Sequence, residues 1–203
     1  MSISKEDRKR IANAIRSAEA KTSGEIVCVL ARTSTHATAL PVILAAAAAL
    51  VTPWLLMAFT AMTVQRILSV QVIVFLILLL LLCLPGLRVA LMPRKMRRAI
   101  AHQTAMEQFI SRGIAGNKDR AGILIFVSLA ERYARIIADD EIAARVPQSA
   151  WQGAVDTLIT HMRDGRIADG FMAAIEACGD ELARHFPRAA GNHNELPDRI
   201  YVI

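Results

Sequence analysis

Two long apolar segments separate the polar parts of this chain. Residues 40–63 carry no charged side chain, and residues 70–87 are still more apolar. A helix needs about 20 consecutive apolar residues to cross the hydrocarbon of a bilayer, so each segment has about the length of one span. Only a short stretch with the single charge of Arg66 lies between them. The pattern predicts a multi-pass protein with a hairpin of two transmembrane helices within residues 40–91.

The alternative for these segments is a pair of helices buried in a soluble core. A helix that is apolar all round needs a large protein around it, and a chain of 203 residues is too short to supply one. A cleaved signal peptide does not fit either, because roughly forty polar-rich residues precede the first run. Membrane insertion is therefore the favoured interpretation, and the lipid bilayer is the first predicted partner.

The polar residues before the hairpin predict one helix and one strand. Ile11 and Ile15 recur with helical spacing, and Ser4 precedes them as an N-cap. Residues 25–31 form a β-branched run that is short enough for a strand.

After the hairpin the pattern predicts a helix, two strands and two more helices. Residues 93–110 have helical spacing, and the continuous apolar run at 121–128 is typical of a central strand. Four residues connect it to the next run, at 133–138, and this is too short for a parallel crossover. The two strands should therefore pair antiparallel. The apolar positions of the last two helices are Trp151, Val155, Leu158, Ile159 and Met162 in the first and Ile167, Phe171, Ile175, Cys178, Leu182 and Phe186 in the second.

Together these elements predict an α/β fold, a three-layer α/β/α sandwich around a small mixed sheet that the transmembrane hairpin interrupts. Residues 1–39 supply the first helix and strand, and residues 92–187 supply the remainder. The two parts must fold together, because neither has enough strands to bury its apolar faces alone. We interpret residues 188–203 as a loosely attached C-terminal tail. The strand order does not follow from the sequence.

The distribution of charge indicates the orientation of the hairpin. The net charge is +6, yet residues 113–203 hold 10 basic and 13 acidic side chains. The positive excess lies beside the apolar runs, with 7 basic and 4 acidic side chains in residues 1–39 and 6 and 1 in residues 88–112. Basic residues beside a span favour the cytoplasmic side and anionic headgroups, by about 1 kcal/mol each. We expect a cell-membrane protein with two helices and both termini in the cytoplasm.

Nucleic-acid binding and cysteine-based sites are both disfavoured by the sequence. Nucleic-acid binding is not expected, because no basic stripe with interleaved aromatic residues is present. Cys28, Cys83 and Cys178 have no CxxC spacing, so they suggest neither a disulfide framework nor a zinc site. We interpret them as small apolar side chains that fill space.

Three consecutive acids, Asp139, Asp140 and Glu141, directly follow the last predicted strand. One interpretation is structural, because carboxylates at a helix N-terminus accept free amide hydrogens and contribute about 0.3 to 1 kcal/mol. The other is a site for Ca²⁺ or Mg²⁺, which prefer oxygen ligands. Since Ca²⁺ takes about six to eight oxygens, such a site needs further ligands, and Glu25 and Asp119 are the other acids at strand boundaries. The capping interpretation is favoured, and both stay open.

Catalytic residues do not emerge from the sequence. None of the five histidines pairs with another at metal-ligand spacing, and no serine lies in a nucleophile elbow. The segment SLAER, with Ser128, Glu131 and Arg132, is interpreted as a hairpin turn that carries a surface ion pair.

Three segments carry a family resemblance: TSGEIVCVL, then DRAGILIFVSLAERYARIIAD, and, after a tryptophan-led helix, GRIADGFMAAIEACGDELARHFP. In this order they resemble the TPM domain, a family named after a thylakoid-lumen acid phosphatase, a photosystem repair protein and a receptor-associated membrane protein. The resemblance implies an α/β/α sandwich, frequent membrane tethering, phosphatase activity in some members and divalent-cation binding near the ends of the central strands.

Two features depart from the family pattern. Members often carry an Asp-containing segment before the first helix, whereas this sequence begins almost at the helix. Many also have a glycine-rich turn after the strand that here ends in ADDEIA, so a loop that cradles phosphate is not evident.

Two functional hypotheses result. The first is an integral membrane protein whose cytoplasmic TPM-like domain is an assembly or interaction module for other membrane proteins. The second, which the resemblance implies, is a divalent-cation-dependent phosphatase that acts on phosphomonoesters at the membrane. Its Ca²⁺ or Mg²⁺ would be held by Asp139, Asp140, Glu25 and Asp119. The missing phosphate loop and nucleophile favour the first hypothesis.

Overall fold

A computed structural model describes residues 3–34, 39–60, 63–83, 92–114, 122–188 and 197–203. Over these residues the chain forms seven α-helices, one 3₁₀ helix at Gln148–Trp151 and four strands. The helices are α1 (Lys5–Glu19), α2 (Ala39–Phe59), α3 (Val64–Cys83), α4 (Arg94–Ser111), α5 (Asp140–Arg145), α6 (Gln152–Arg163) and α7 (Ile167–His185). The strands are β1 (Glu25–Ala31), β2 (Gly122–Ser128), β3 (Tyr133–Ala138) and β4 (Ile200–Val202).

The chain divides into two compact units. The first consists of Met1–Ser34 and Ile100–Ile203, and the second of Thr35–Ala99. The first contains all four strands and is called the α/β unit below; the second contains α2 and α3.

Helix α1 begins where the sequence predicts. The Asp7 backbone N–H donates to the Ser4 Oγ at 3.0 Å, and the Ser4 hydroxyl donates in turn to the Asp7 carboxylate at 2.8 Å. Ile11 and Ile15 are fully buried, as their helical spacing predicts. The predicted cap and apolar face are confirmed.

The sheet has the strand order β3-β2-β1-β4. β1 pairs parallel with β2, from Glu25 opposite Gly122 to Ala31 opposite Ser128, and β2 pairs antiparallel with β3. The predicted antiparallel hairpin is therefore confirmed. A parallel pair needs a crossover connection, and here the crossover between β1 and β2 runs through α2, α3 and α4. The apolar hairpin is inserted into the crossover of a βαβ unit.

Both faces of the sheet are covered, because alternate residues of a strand point to opposite faces. On one face Cys28 and Leu30 belong to a core shared with α1, α6 and α7, and on the other Val27 and Val29 pack with Phe109 of α4. This arrangement confirms the three-layer α/β/α prediction. The apolar positions predicted for the last two helices also belong to the first core, Cys178 among them.

Helices α1 and α7 pack closely at one point. A Cβ atom added at Gly179 would lie 2.7 Å from the Cβ of Ala18, which is closer than such atoms approach in real structures. Only glycine fits there, so this contact fixes α7 against α1.

The interpretation of residues 188–203 as a loosely attached tail is wrong for β4. Ile200 to Val202 pair parallel with β1, and the Arg112 guanidinium lies 3.5 Å from the centre of the Tyr201 ring. The strand has only three residues, too few for an alternating pattern to reveal. It depends on a partner strand that lies far away in the sequence.

The second unit contains two helices that qualify as membrane spans by length and composition. The windows are Val42–Phe59 and Val64–Leu82, and only 11% and 6% of them are buried within the chain. Ala45 and Ala49 of α2 are buried, as is Ile67 of α3. The described residues therefore agree with the predicted apolar hairpin.

Candidate functional site

Three of the four acids predicted as metal ligands lie at the same end of the sheet: Glu25, Asp139 and, directly after it, Asp140. Glu25 begins β1 opposite Gly122, and Asp139 follows β3 and donates its backbone N–H to the Gly122 carbonyl at 2.9 Å. Because β2 lies between β1 and β3 and adjacent strands are about 4.8 Å apart, the backbones of Glu25 and Asp139 are about 10 Å apart across the sheet. Asp119 lies outside the described residues. Over the described ranges, no three side chains of His, Cys, Asp or Glu come close enough together to hold a metal ion.

The three consecutive acids have different surroundings. Asp139 is the N-cap residue of α5, with extended backbone angles, but its side chain makes no capping hydrogen bond. Asp140 is exposed in the first turn of the helix. Glu141 forms an ion pair with Arg145 one turn later, at 3.3 Å. The capping interpretation is thus right about the position and wrong about the hydrogen bond.

Neither a capping hydrogen bond nor an ion pair among the described residues explains why Asp139 is buried. Only 8% of the residue is exposed, and within the described part of the chain its carboxylate has no hydrogen-bond partner. Burying an ionised carboxylate is costly unless a hydrogen bond, an ion pair or a metal ion compensates. A cation beside Asp139 would supply that compensation.

A second acidic group lies near the same end of the sheet, and the sequence did not indicate it. The Glu19 carboxylate at the end of α1 accepts the Ile26 backbone N–H at 2.9 Å and shares a hydrogen bond with Asp198. Asp198 also pairs with Arg16, at 3.1 Å. Burial is the main cause that raises the pKa of Glu19 to about 8; the nearby Asp198 and Glu25 contribute to this rise, and the Ile26 N–H opposes it. Asp198 belongs to the segment taken for a tail, so no local pattern joined it to α1.

A buried polar network lies at the other end, where the parallel strands β1 and β2 finish. Glu131 is only 4% exposed and accepts the Ser34 backbone N–H on both oxygens, at 3.1 Å. It also accepts the hydroxyls of Ser128, in a short hydrogen bond, and of Thr33, at 3.2 Å. The prediction that Glu131 of the SLAER turn lies at the surface is therefore wrong, because the turn folds beneath the chain that leaves β1. This network fixes Ser34 just before the chain enters the second unit.

Comparisons with known proteins support the fold. Residues 87–181 match the model of the TPM domain family. The NMR structure of the BA42 protein from the psychrophilic bacterium Bizionia argentinensis aligns with a TM-score of 0.61 and 20% sequence identity. The alignment covers 100% of this chain and 96% of that chain, and at this identity it shows a shared fold alone. No curated protein matches the chain.

The acidic pair of Glu19 and Asp198 predicts a pH dependence of stability. Because the folded pKa of Glu19, about 8, lies above its ordinary value of 4.5, the folded state binds an extra proton between these two pH values. The free energy of unfolding should therefore fall as pH rises from 4.5 to 8. Glu19→Gln keeps an acceptor for Ile26 and removes the ionisation. We expect it to stabilise the protein at pH about 8.5, on the order of 1–3 kcal/mol, and to have little effect near pH 4.5.

Thermal unfolding at the two pH values measures this difference. The exposed acid Glu6 of the same helix provides the control, because Glu6→Gln removes an equal charge outside the acidic pair. An equal effect of Glu19→Gln on stability at both pH values would contradict the raised pKa of Glu19.

Proposed function

This chain is a TPM-domain protein, and from that premise we propose that it is anchored in the cell membrane, where its α/β unit serves as an assembly or interaction module for other membrane proteins. In this proposal α2 and α3 cross the lipid bilayer. Both termini lie in the cytoplasm, in accordance with the basic residues on both flanks of the hairpin.

One observation carries the proposal: the hairpin helices expose large apolar side chains along their length. Monomeric soluble proteins rarely expose contiguous apolar patches larger than a few hundred Å². Lipid, or the helices of another membrane protein, would cover this surface without the cost of hydrating it. The exposed residues include Leu50 (67%), Trp54 (77%), Phe59 (83%), Ile73 (54%), Ile77 (57%) and Leu80 (75%).

The small residues of α2 support the same arrangement. Helix association in membranes relies on close packing of small side chains, because lipid tails are as apolar as leucine. Ala45 and Ala49 are buried, while many of the larger apolar residues of the hairpin are exposed. The outward surface is thus available to lipid or to partner helices.

Charged substitutions in α3 test the anchor. Ile73 and Ile77 lie one turn apart near the middle of the apolar window, and an arginine at a helix centre disfavours insertion by about 2.5–3.5 kcal/mol. We expect the double variant Ile73→Arg/Ile77→Arg to leave the washed membrane fraction and to lose the proteins that co-purify with the native chain. The control is Ile73→Leu/Ile77→Leu, which keeps the apolar surface and should behave as wild type.

The same fractions test each part of the proposal. A wild-type chain that stays in the supernatant after gentle lysis contradicts the anchor. A chain that is anchored but purifies alone from native membranes contradicts the interaction role.

A second candidate function rests on Asp139. Its buried carboxylate, which has no hydrogen-bond partner among the residues that the structure describes, lies at the same end of the sheet as Glu25 and favours a divalent cation there. The carboxylates of Asp139, Asp140 and Glu25 are oxygen donors of the type that Ca²⁺ and Mg²⁺ prefer. Over the described residues no three acids come close enough together to hold a metal ion, so in this proposal Asp139 binds the cation with further ligands, for which Asp119 is the other candidate. Such a cation can polarise a phosphate ester and lower the pKa of water. The corresponding activity is a divalent-cation-dependent phosphatase acting on phosphomonoesters.

Cation-dependent unfolding of Asp139→Asn tests this candidate. A ligand at about 100 times its Kd stabilises a protein by about 2.7 kcal/mol, so Ca²⁺ or Mg²⁺ should raise the Tm of the wild type. Asp139→Asn should lose this shift and Asp140→Asn should reduce it. Asp156→Asn, an exposed acid of α6, should keep it.

Turnover of a generic phosphomonoester by the same proteins separates binding from catalysis. Activity that requires the cation and is lost in Asp139→Asn supports the phosphatase. A wild type that gains no stability from either cation contradicts the cation site. A wild type that a cation stabilises but that shows no turnover contradicts the phosphatase activity and leaves the cation site supported.

A further inference from the structure

A cavity of about 400 Å³ lies beside β3 within the α/β unit. Its walls come from α4, from β3, and from the α5 and 3₁₀ segments that follow β3. Its volume is within the range of about 300–1,000 Å³ that is usual for ligand pockets. The residues used in the argument are His102, Met106, Arg135, Val146, Gln148 and Trp151.

The polar side of the cavity is cationic. Arg135 is half-buried, and within the described ranges no carboxylate lies within ion-pair distance of it. The His102 Nδ1 lies 3.3 Å from the Tyr133 hydroxyl, so the imidazole is held in place. Gln148 donates its side-chain N–H to the Ile136 carbonyl at 3.2 Å. Its amide oxygen accepts no hydrogen bond from the described residues. None of the described residues that line the cavity is acidic.

The remaining wall is mostly apolar. Met106, Val146 and Trp151 contribute to it, and Trp151 is only 1% exposed. A guanidinium presents a planar fork of donors that matches a carboxylate or a phosphate in two parallel hydrogen bonds. A ligand that suits both walls therefore combines one such anionic group with an apolar body.

From this geometry we propose that the cavity binds a small amphipathic organic anion. Its carboxylate or phosphate contacts Arg135 and His102, and its apolar body packs against Met106, Val146 and Trp151. The proposed contacts use none of Asp139, Asp140 and Glu25, and they do not depend on the proposed membrane partners.

Other occupants fit less well. A metal ion or an organic cation would face Arg135 without a carboxylate ligand. An uncharged apolar molecule would exclude water from Arg135 and give it no counter-charge. An added β-strand cannot pair along the centre of β3, because Ile136 is fully buried and Gln148 already occupies its carbonyl. The half-buried guanidinium thus selects an anion.

Trp151 provides a direct reporter of binding. The chain has two tryptophans, and the other, Trp54, is an exposed residue of α2. The full chain with Trp54→Phe, reconstituted in lipid nanodiscs, therefore reports on the cavity through Trp151 fluorescence. The probes are hexanoate and phenyl phosphate, which are water-soluble, with hexanol and hexylammonium as uncharged and cationic counterparts.

We expect at least one of the two anions to change the Trp151 fluorescence saturably, and hexanol and hexylammonium to bind at least about 10-fold more weakly. Arg135→Gln should weaken anion binding by about 10- to 100-fold, because a hydrogen-bonded charge is lost. Arg135→Lys keeps the charge without the fork and should give an intermediate affinity. Arg163→Gln removes an equal charge from the exposed end of α6 and should leave binding unchanged.

The two anions distinguish a carboxylate ligand from a phosphate ligand. The proposal is overturned if neither anion gives a saturable response, or if hexanol binds as tightly as hexanoate. It is also overturned if Arg135→Gln binds the anions with wild-type affinity. The Tm of each variant shows that it is folded, and Arg135→Lys extends the test should Arg135→Gln unfold.

Discussion

The parallel pairing of β1 with β2 is the contact on which the rest of the α/β unit depends. β1 lies between β2 and β4, and all seven of its residues are buried. Without β1, the described sheet would retain only the β2–β3 hairpin, and β4 would have no partner. A two-stranded hairpin is marginally stable at best in water. The residues before the apolar hairpin are therefore required for the folding of those after it.

A long insertion between two paired strands is compatible with this dependence. About 90 residues separate the end of β1 from the start of β2, and each doubling of a loop adds only about 0.6 kcal/mol to the entropy cost of closing it. A parallel pair needs a crossover in any case, and α4 within it covers one face of the sheet. At the exit from β1, the buried carboxylate of Glu131 holds the backbone of Ser34. The chain therefore leaves the α/β unit from a fixed position.

The sequence predicted those elements whose signal is local. Residues 25–31 and 133–138 were expected as strands from their apolar, β-branched character, and β1 and β3 have these bounds. The β2–β3 hairpin followed from the length of one connection. The short strand β4 and the pairing of Glu19 with Asp198 both depend on residues that meet only after the sheet has formed. No periodicity within a short window reveals such contacts.

The same distinction applies to the candidate sites. The acids at strand boundaries were visible in the sequence, but the position of Glu25 at the same end as Asp139 required the strand order. Glu131 looked like a surface residue, because a turn sequence does not show what folds over it. No sequence pattern distinguished Arg135, since the cavity beside it is formed by α4 and by the residues after β3.

Native-state hydrogen exchange of the full chain in lipid nanodiscs tests the central claim most directly. Amides of core strands open only with the whole cooperative unit, so their exchange reports membership of that unit. The account predicts that the amides of Ile26 to Leu30 in β1 exchange as slowly as those of Ile123 to Val127 in β2. Fast exchange throughout β1, while β2 and β3 stay protected, would contradict a domain assembled from both sides of the hairpin.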